Sequence, residues 1–277
     1  MAIRDILVHV TDGAECPARV DAAVALAQAH GAHLTGLYTM WIPPMPSYIA
    51  AEVGTDIVAR QHALYETRMH TAERAFQART QAAGVSAEWR RSESHRAQAV
   101  LLHARYCDLL IMGRRGEGDG EPSVNLVENV VLGSGKPVLV LPDEGAPRGL
   151  GRHVMVAWNH SREAVRAIDS ALPLLAAAER VDVIAVDPPV DDEQANGVLP
   201  GADLCAHLAR HGVRAEAQAV QSGRHSVGQT LLERAAADGA DLVVMGAYGH
   251  ARWRELVLGG ATAHVLRHAS VALLMAH

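Results

Sequence analysis

Apolar residues in this chain arrive in short, nearly unbroken runs. In the first half these are Ile6–Val10, His33–Tyr38, Asp108–Met112 and Val138–Leu141, and in the second Val154–Trp158, Val181–Val186, Asp241–Met245 and Val271–Met275. Runs of this length, apolar on both faces of the pleat, predict strands of a parallel sheet covered by helices on both sides. Val85–Arg90, which alternates, and Ala215–Val220 complete each set as third strands. Helical spacing fills the intervals. Ala18–His30 is closed by Gly31, and Tyr65, Met69, Ala72 and Phe76 share one face of a long amphipathic stretch between Pro46 and Gly84. His95–Ala104 and Gln229–Ala237 are further helices. Ser161 reads as an N-cap with Glu163 in the first turn, ahead of a stripe formed by Ala164, Ile168, Leu172 and Leu175.

The pattern occurs twice. Asp108-Leu-Leu-Ile-Met-Gly113-Arg-Arg-Gly116 reappears 133 positions later as Asp241-Leu-Val-Val-Met-Gly246-Ala-Tyr-Gly249, and the same offset carries Pro137–Leu141 onto Ser270–Leu274. The first strands match at an offset of 148, Ile6 falling on Val154. A repeat of roughly 140 residues is an ordinary domain size. The expected fold class is therefore α/β, with two tandem open five-stranded parallel-sheet (Rossmann-like) domains and helices on both faces. Residues 1–143 and 151–277 are the two domains, joined by the turn-rich segment Pro142–Gly151.

Composition narrows the functional classes. Hydrophobic residues make up 49% of the chain and aromatic residues only 4%, so the predicted core is built from Ala, Val and Leu. A net charge of −6 with no Lys/Arg run argues against a nucleic-acid partner. The sequence predicts neither a membrane span nor a secretory leader. Three scattered cysteines, Cys16, Cys107 and Cys205, suit a reducing cytoplasm.

Candidate chemistry concentrates at the second copy's glycines. Gly246 and Gly249 follow a strand, and Gly259-Gly260-Ala261-Thr262 opens a helix. Glycines let backbone N–H groups approach an anion, and a helix N-terminus adds unpaired donors and partial positive charge. Ligands in open parallel sheets sit beyond the carboxyl ends of the strands, at the switch in strand order. Those ends supply Trp158-Asn159-His160, Val186-Asp187 and Met245-Gly246, so base and ribose are expected over the first two ends and phosphates over the glycines. In the first copy Leu126, Val127 and Asn129 replace Gly259, Gly260 and Thr262, and the intervening Glu117–Glu121 is acidic. That half is expected to be structural or to bind something other than ATP, with Arg114 and Arg115 as cations near the eroded loop.

Both halves resemble universal stress protein domains, and the whole chain resembles the tandem form of that family. The family's ATP-binding motif, G-x2-G-x9-G-[ST], is matched at its three glycines by Gly246, Gly249 and Gly259. The resemblance implies a cytoplasmic stress-response protein and pairing of domains through their last strands, within one chain or across a homodimer. It implies an adenine nucleotide, ATP or AMP, held in the second domain by Ala157, Asn159, Val186, Gly246, Gly249, Gly259, Gly260 and Thr262. Two positions depart from the pattern. Gly260 stands where the family has Ser or Thr, with Thr262 offering a hydroxyl two residues on, and Asn159 replaces an Asp.

Other patterns carry less. Gly133-Ser-Gly135-Lys136 lacks the full frame of a phosphate loop and leads into a strand. His207/His211 and His264/His268 have a spacing that zinc can use, but no clustered Cys or carboxylate accompanies them, so no metal is expected. No nucleophile–base pair is legible, and no catalytic residue is assigned. Three functions remain open: a nucleotide-responsive regulator, an interaction module that has lost its nucleotide, and a slow ATPase.

Overall fold

A computed structural model describes residues 2–39, 55–93, 96–114, 123–143, 149–188, 199–249 and 260–277. In the first half, β1 (Asp5–Val10), α1 (Cys16–His30), β2 (His33–Thr39), α2 (Thr55–Ala82), β3 (Ala87–Ser92), α3 (Arg96–Ala104), β4 (Leu109–Gly113), α4 (Ser123–Gly133) and β5 (Val138–Leu141) follow one another. The second half runs β6 (His153–Ala157), α5 (Arg162–Ala177), β7 (Arg180–Val186), α6 (Ala202–Arg210), β8 (Ala215–Val220), α7 (Val227–Asp238), β9 (Leu242–Gly246), α8 (Ala261–His268) and β10 (Ala272–Ala276). The predicted α/β class with two five-stranded parallel halves is what forms. Sequence reading left α4 unassigned and began the third strand of the first half two residues early.

Strand order is β3-β2-β1-β4-β5-β10-β9-β6-β7-β8, parallel within each half and antiparallel only at β5–β10. The last strands do lie side by side, as expected, with Leu273 opposite Val140 and Leu274 opposite Leu139. Reading the halves as domains with separate sheets needs correction: edge-to-edge pairing of those strands makes one ten-stranded sheet. The physical reason is that β5 reads Val-Leu-Val-Leu with every residue buried. Left open, so apolar an edge would offer unpaired N–H and C=O groups to any passing strand.

Both faces of the sheet carry an apolar layer that runs through the two halves. On one face Ile6, Val8, Leu139, Val156 and Leu274 meet α1, α2, α5 and α6 through Val20, Phe76, Ile168 and Leu208. Leu7, Val138, Met155 and Leu273 meet α3, α4, α7 and α8 on the other, through Val100, Val130, Leu231 and Val265. The repeated aspartates have a mechanical task. Asp108 accepts the N–H groups of Arg4 and Asp5, and Asp241 those of Gly151, Arg152 and His153. Each carboxylate thereby fixes the entry of its half's first strand beside its fourth.

A shared sheet predicts shared stability. Leu139→Ala, at a fully buried position on the seam, is expected to cost about 2–5 kcal/mol. Hydrogen exchange read by mass spectrometry should show faster exchange in β9 and β10 as well as in β4 and β5. Loss of protection confined to the first half would show that the halves are energetically separate.

Candidate functional site

The second-half crevice is assembled from three neighbouring strands. β6 lies between β9 and β7, with Ala157 opposite Met245 on one side and Ile184 on the other. Their carboxyl ends bring Ala157, Asn159, Val186, Gly246 and Gly249 to one edge of the sheet. Asn159 forms the turn into α5: its Oδ1 accepts from the N–H of Ser161 and, at 2.7 Å, from the Ser161 hydroxyl. Ser161 Oγ then accepts the Ala164 N–H, the N-cap that the sequence predicted. Gly260 is the N-cap of α8 and makes no side-chain cap bond. The buried Thr262 hydroxyl accepts the N–H of Tyr248 at 3.2 Å, bracing the glycine loop against α8. Gly259 and the cationic loop positions His250, Arg252 and Arg254 lie outside the described residues.

Backbone strain gathers at this edge. Among the described residues, the non-glycine positions with positive φ are His160 (58°), Asp187 (44°) and Tyr248 (57°). They follow β6, β7 and β9 respectively, all in the second half. Asp and His visit this region with some ease, whereas a bulky Tyr does so at a cost. Asp187 is held by Ser222, which gives it both N–H and hydroxyl and keeps the carboxyl below its usual range. The Trp158 and His160 rings lie 5.0 Å apart, centroid to centroid, at the end of β6.

Glu163 is the residue that sequence reading did not place in the site. A Cβ on Gly246 would stand 2.6 Å from the Glu163 carbonyl carbon and 2.9 Å from its Cβ. One on Gly249 would stand 2.9 Å from Glu163 Oε2 and from Ser161 Oγ. The two glycines thus admit the first turn of α5, and the Glu163 side chain runs along the loop between them. It is 2% exposed. Burial pushes its carboxyl up, but hydrogen bonding from Arg162, the helix backbone and the nearby Arg162 and His277 charges hold it below the usual range. Glu163 was legible as a first-turn acid, a common helix-dipole partner, but its direction depends on how α5 crosses β9.

The corresponding region of the first half is filled differently. Arg19, 2% exposed, lies against Gly113, donates to the His9 carbonyl at 2.8 Å and pairs with Glu15 at 3.0 Å. Leu126 joins Val127, Val130 and Val131 in the apolar layer. Arg114 does not face a ligand loop: it donates to the Arg267 carbonyl in the last turn of α8 at 2.6 Å and pairs with Asp143. Arg115 lies outside the described residues. A cavity of about 620 Å³ opens between the β1–α1 turn and α2, lined by Thr11, Asp12, Cys16, Val20, Arg68 and Phe76 among others. The His264 and His268 rings stack at 4.4 Å on α8, and those of His207 and His211, at the end of α6, lie tilted at 4.8 Å. Among the described residues no three His, Cys, Asp or Glu side chains group as a metal site requires. No described helix is long and apolar enough to cross a membrane.

A sequence model of the universal stress protein family matches residues 2–142 and again 151–277. The chain is 30% identical over 173 residues to a universal stress protein of Synechocystis sp., an alignment covering 60% of this chain and 57% of that protein. Its fold is similar to a universal stress protein from Archaeoglobus fulgidus (TM-score 0.72, 14% identity, 98% and 95% of the two chains). It is also similar to a protein of unknown function from Pseudomonas aeruginosa (TM-score 0.58, 17% identity, 99% and 92% coverage).

Two predictions follow from the packing. Gly246→Ala drives its Cβ into the backbone of Glu163 and Ala164 and should destabilise by about 1–3 kcal/mol. Gly249→Ala meets side-chain atoms, Glu163 Oε2, Ser161 Oγ and Ser161 Cβ, rather than backbone, and should cost less. Thermal melts of both variants check the order, and equal melts would put α5 elsewhere. The second concerns His9, buried and bonded to Thr39, whose pKa is lowered from 6.5 to about 3 by burial and then by Arg19 and Arg96. A histidine held neutral stabilises the fold fully above about pH 6.5, and that contribution is lost as pH falls toward 3. His9→Gln should flatten the acid side of a stability–pH curve between those limits. An unchanged acid slope would place the ring in water.

Proposed function

The chain belongs to the universal stress protein family, and we propose that within it this protein is a stress-response regulator that binds an adenine nucleotide in its second half, residues 151–277. Base and ribose lie over Ala157, Asn159 and Val186. The phosphate end meets Gly246, Gly249, the Gly259-Gly260 start of α8 and Thr262. The observation that carries this reading is the clustering of His160, Asp187 and Tyr248, the non-glycine positive-φ residues among those described, at three adjacent strand ends. Strain of the kind Tyr248 carries persists where the surroundings enforce it, and it gathers at ligand clamps and switch regions. The first half keeps its strands but fills the equivalent space with Arg19 and Glu15, and there its role is support. Signalling in the cytoplasm through ligand-dependent stability or partner choice fits a site in which no nucleophile stands against a base among the described residues.

Binding is tested by thermal shift of the full chain with adenosine, AMP and ATP. At least one should raise the melting temperature, and Gly259→Leu, which copies Leu126 into the second half, should abolish that rise. Retention of the shift in this variant would place the phosphates elsewhere. Steady-state ATP hydrolysis should stay well under about 1 s⁻¹, the low end of ordinary enzyme turnover. A rate at or above that value, lost in His250→Ala, would make the protein an ATPase.

A further inference from the structure

We propose that Glu163 selects against polyphosphates, so that the ligand of the second half is an adenine nucleoside or monophosphate rather than ATP; this rests on the nucleotide reading above. The argument begins with position. The Glu163 Cβ packs on Gly246, and its Oε2 lies beside Gly249, so the carboxylate runs along the glycine loop that would receive phosphate. At 2% exposure little water separates it from a ligand there. Like charges a few ångströms apart repel each other more strongly in such surroundings than in bulk water.

The charges around it do not cancel this. Arg162 Nε reaches Glu163 Oε1 at 2.5 Å, but the arginine side chain is 78% exposed and its charge is spread into solvent. His277 donates its Nδ1–H to the Ala247 carbonyl and offers positive charge only as the imidazolium. Ser161 presents a hydroxyl already engaged with Asn159 and Ala164. The first half shows what neutralisation looks like. At the offset of 148 that aligns the first strands, Glu15 corresponds to Glu163 and Arg19 to Ala167. Glu15 has its buried arginine, and Glu163 has a buried alanine in that place. Among the described residues, the half with intact glycine spacing is the half whose acid has no buried counter-ion. ATP brings about twice the negative charge of AMP to this loop, and adenosine brings none.

Calorimetric titration of the full-length wild type and Glu163→Gln with adenosine, AMP and ATP, at fixed ionic strength with chelator present, tests the assignment. In the wild type AMP should bind about tenfold more tightly than ATP. Glu163→Gln should raise ATP affinity about tenfold, AMP affinity less, and leave adenosine unchanged, which also reports an intact site. Glu163→Ala repeats the comparison if Gln disturbs the first turn of α5. A merely structural role for Glu163 moves all three ligands together and overturns the proposal, as does equal wild-type affinity for AMP and ATP. A parallel series with magnesium separates another case: tight Mg-ATP binding that Glu163→Gln destroys makes the carboxylate a cation ligand and also overturns it. Should none of the three ligands bind either form, the nucleotide reading itself fails.

Discussion

The antiparallel seam between β5 and β10 is the constraint on which the rest of the molecule depends. Each half is an open parallel sheet whose last strand is wholly apolar, so each half alone ends in an unsatisfied edge. Pairing Leu273 with Val140 and Leu274 with Leu139 closes both edges at once and merges the core layers on either face. The halves run in opposite senses across that seam, so the carboxyl strand ends of each face away from those of the other. The second-half crevice therefore takes its walls from its own strands and helices, while the first half contributes to it through packing.

That contribution has one named contact. The α8 helix carries Thr262 at its start and Arg267 in its last turn, and it is held at both. Thr262 Oγ1 accepts the Tyr248 N–H from the glycine loop, and the Arg267 carbonyl accepts from Arg114 of the first half. A cation at a helix C-terminus interacts favourably with the dipole as well as capping a free carbonyl. Arg114, in the eroded copy of the glycine motif where the intact copy has Ala247, thus fastens the helix on which the intact copy depends.

The sheet was legible because burial on both faces forces continuous apolar runs, and the repeat was legible because Asp108 and Asp241 do the same job at strand entry. Ser161 and its first-turn Glu163 were legible as local helix chemistry. The directions of long side chains were not. Arg19 reads as a surface residue one position into an Ala-rich helix, yet it is buried against Gly113 and donates to the His9 carbonyl in the preceding strand. Arg114 reads as a cation near a loop, and its partners, Arg267 and Asp143, lie 153 and 29 residues along the chain. α4 escaped notice because Leu126, Val127, Val130 and Val131 form an apolar run with little polar contrast, as expected for a helix pressed into the sheet.

Glycine spacing alone does not distinguish a phosphate loop from a helix-packing contact, since both need the space a Cβ would fill. Here the same two glycines have a definite occupant on one side, the first turn of α5, which excludes any larger residue at Gly246 whatever the ligand. What distinguishes this half from its eroded copy is the company those glycines keep. Tyr248 stands between them at positive φ, a buried acid lies along them, and the helix beyond them starts at Gly260, which caps it without a side chain. A turn that only served packing would relax into ordinary φ values at Tyr248, where no steric advantage of glycine is available. The sheet fixes where those strand ends stand, and among the described residues the left-handed positions His160, Asp187 and Tyr248 mark the strand ends of the second half.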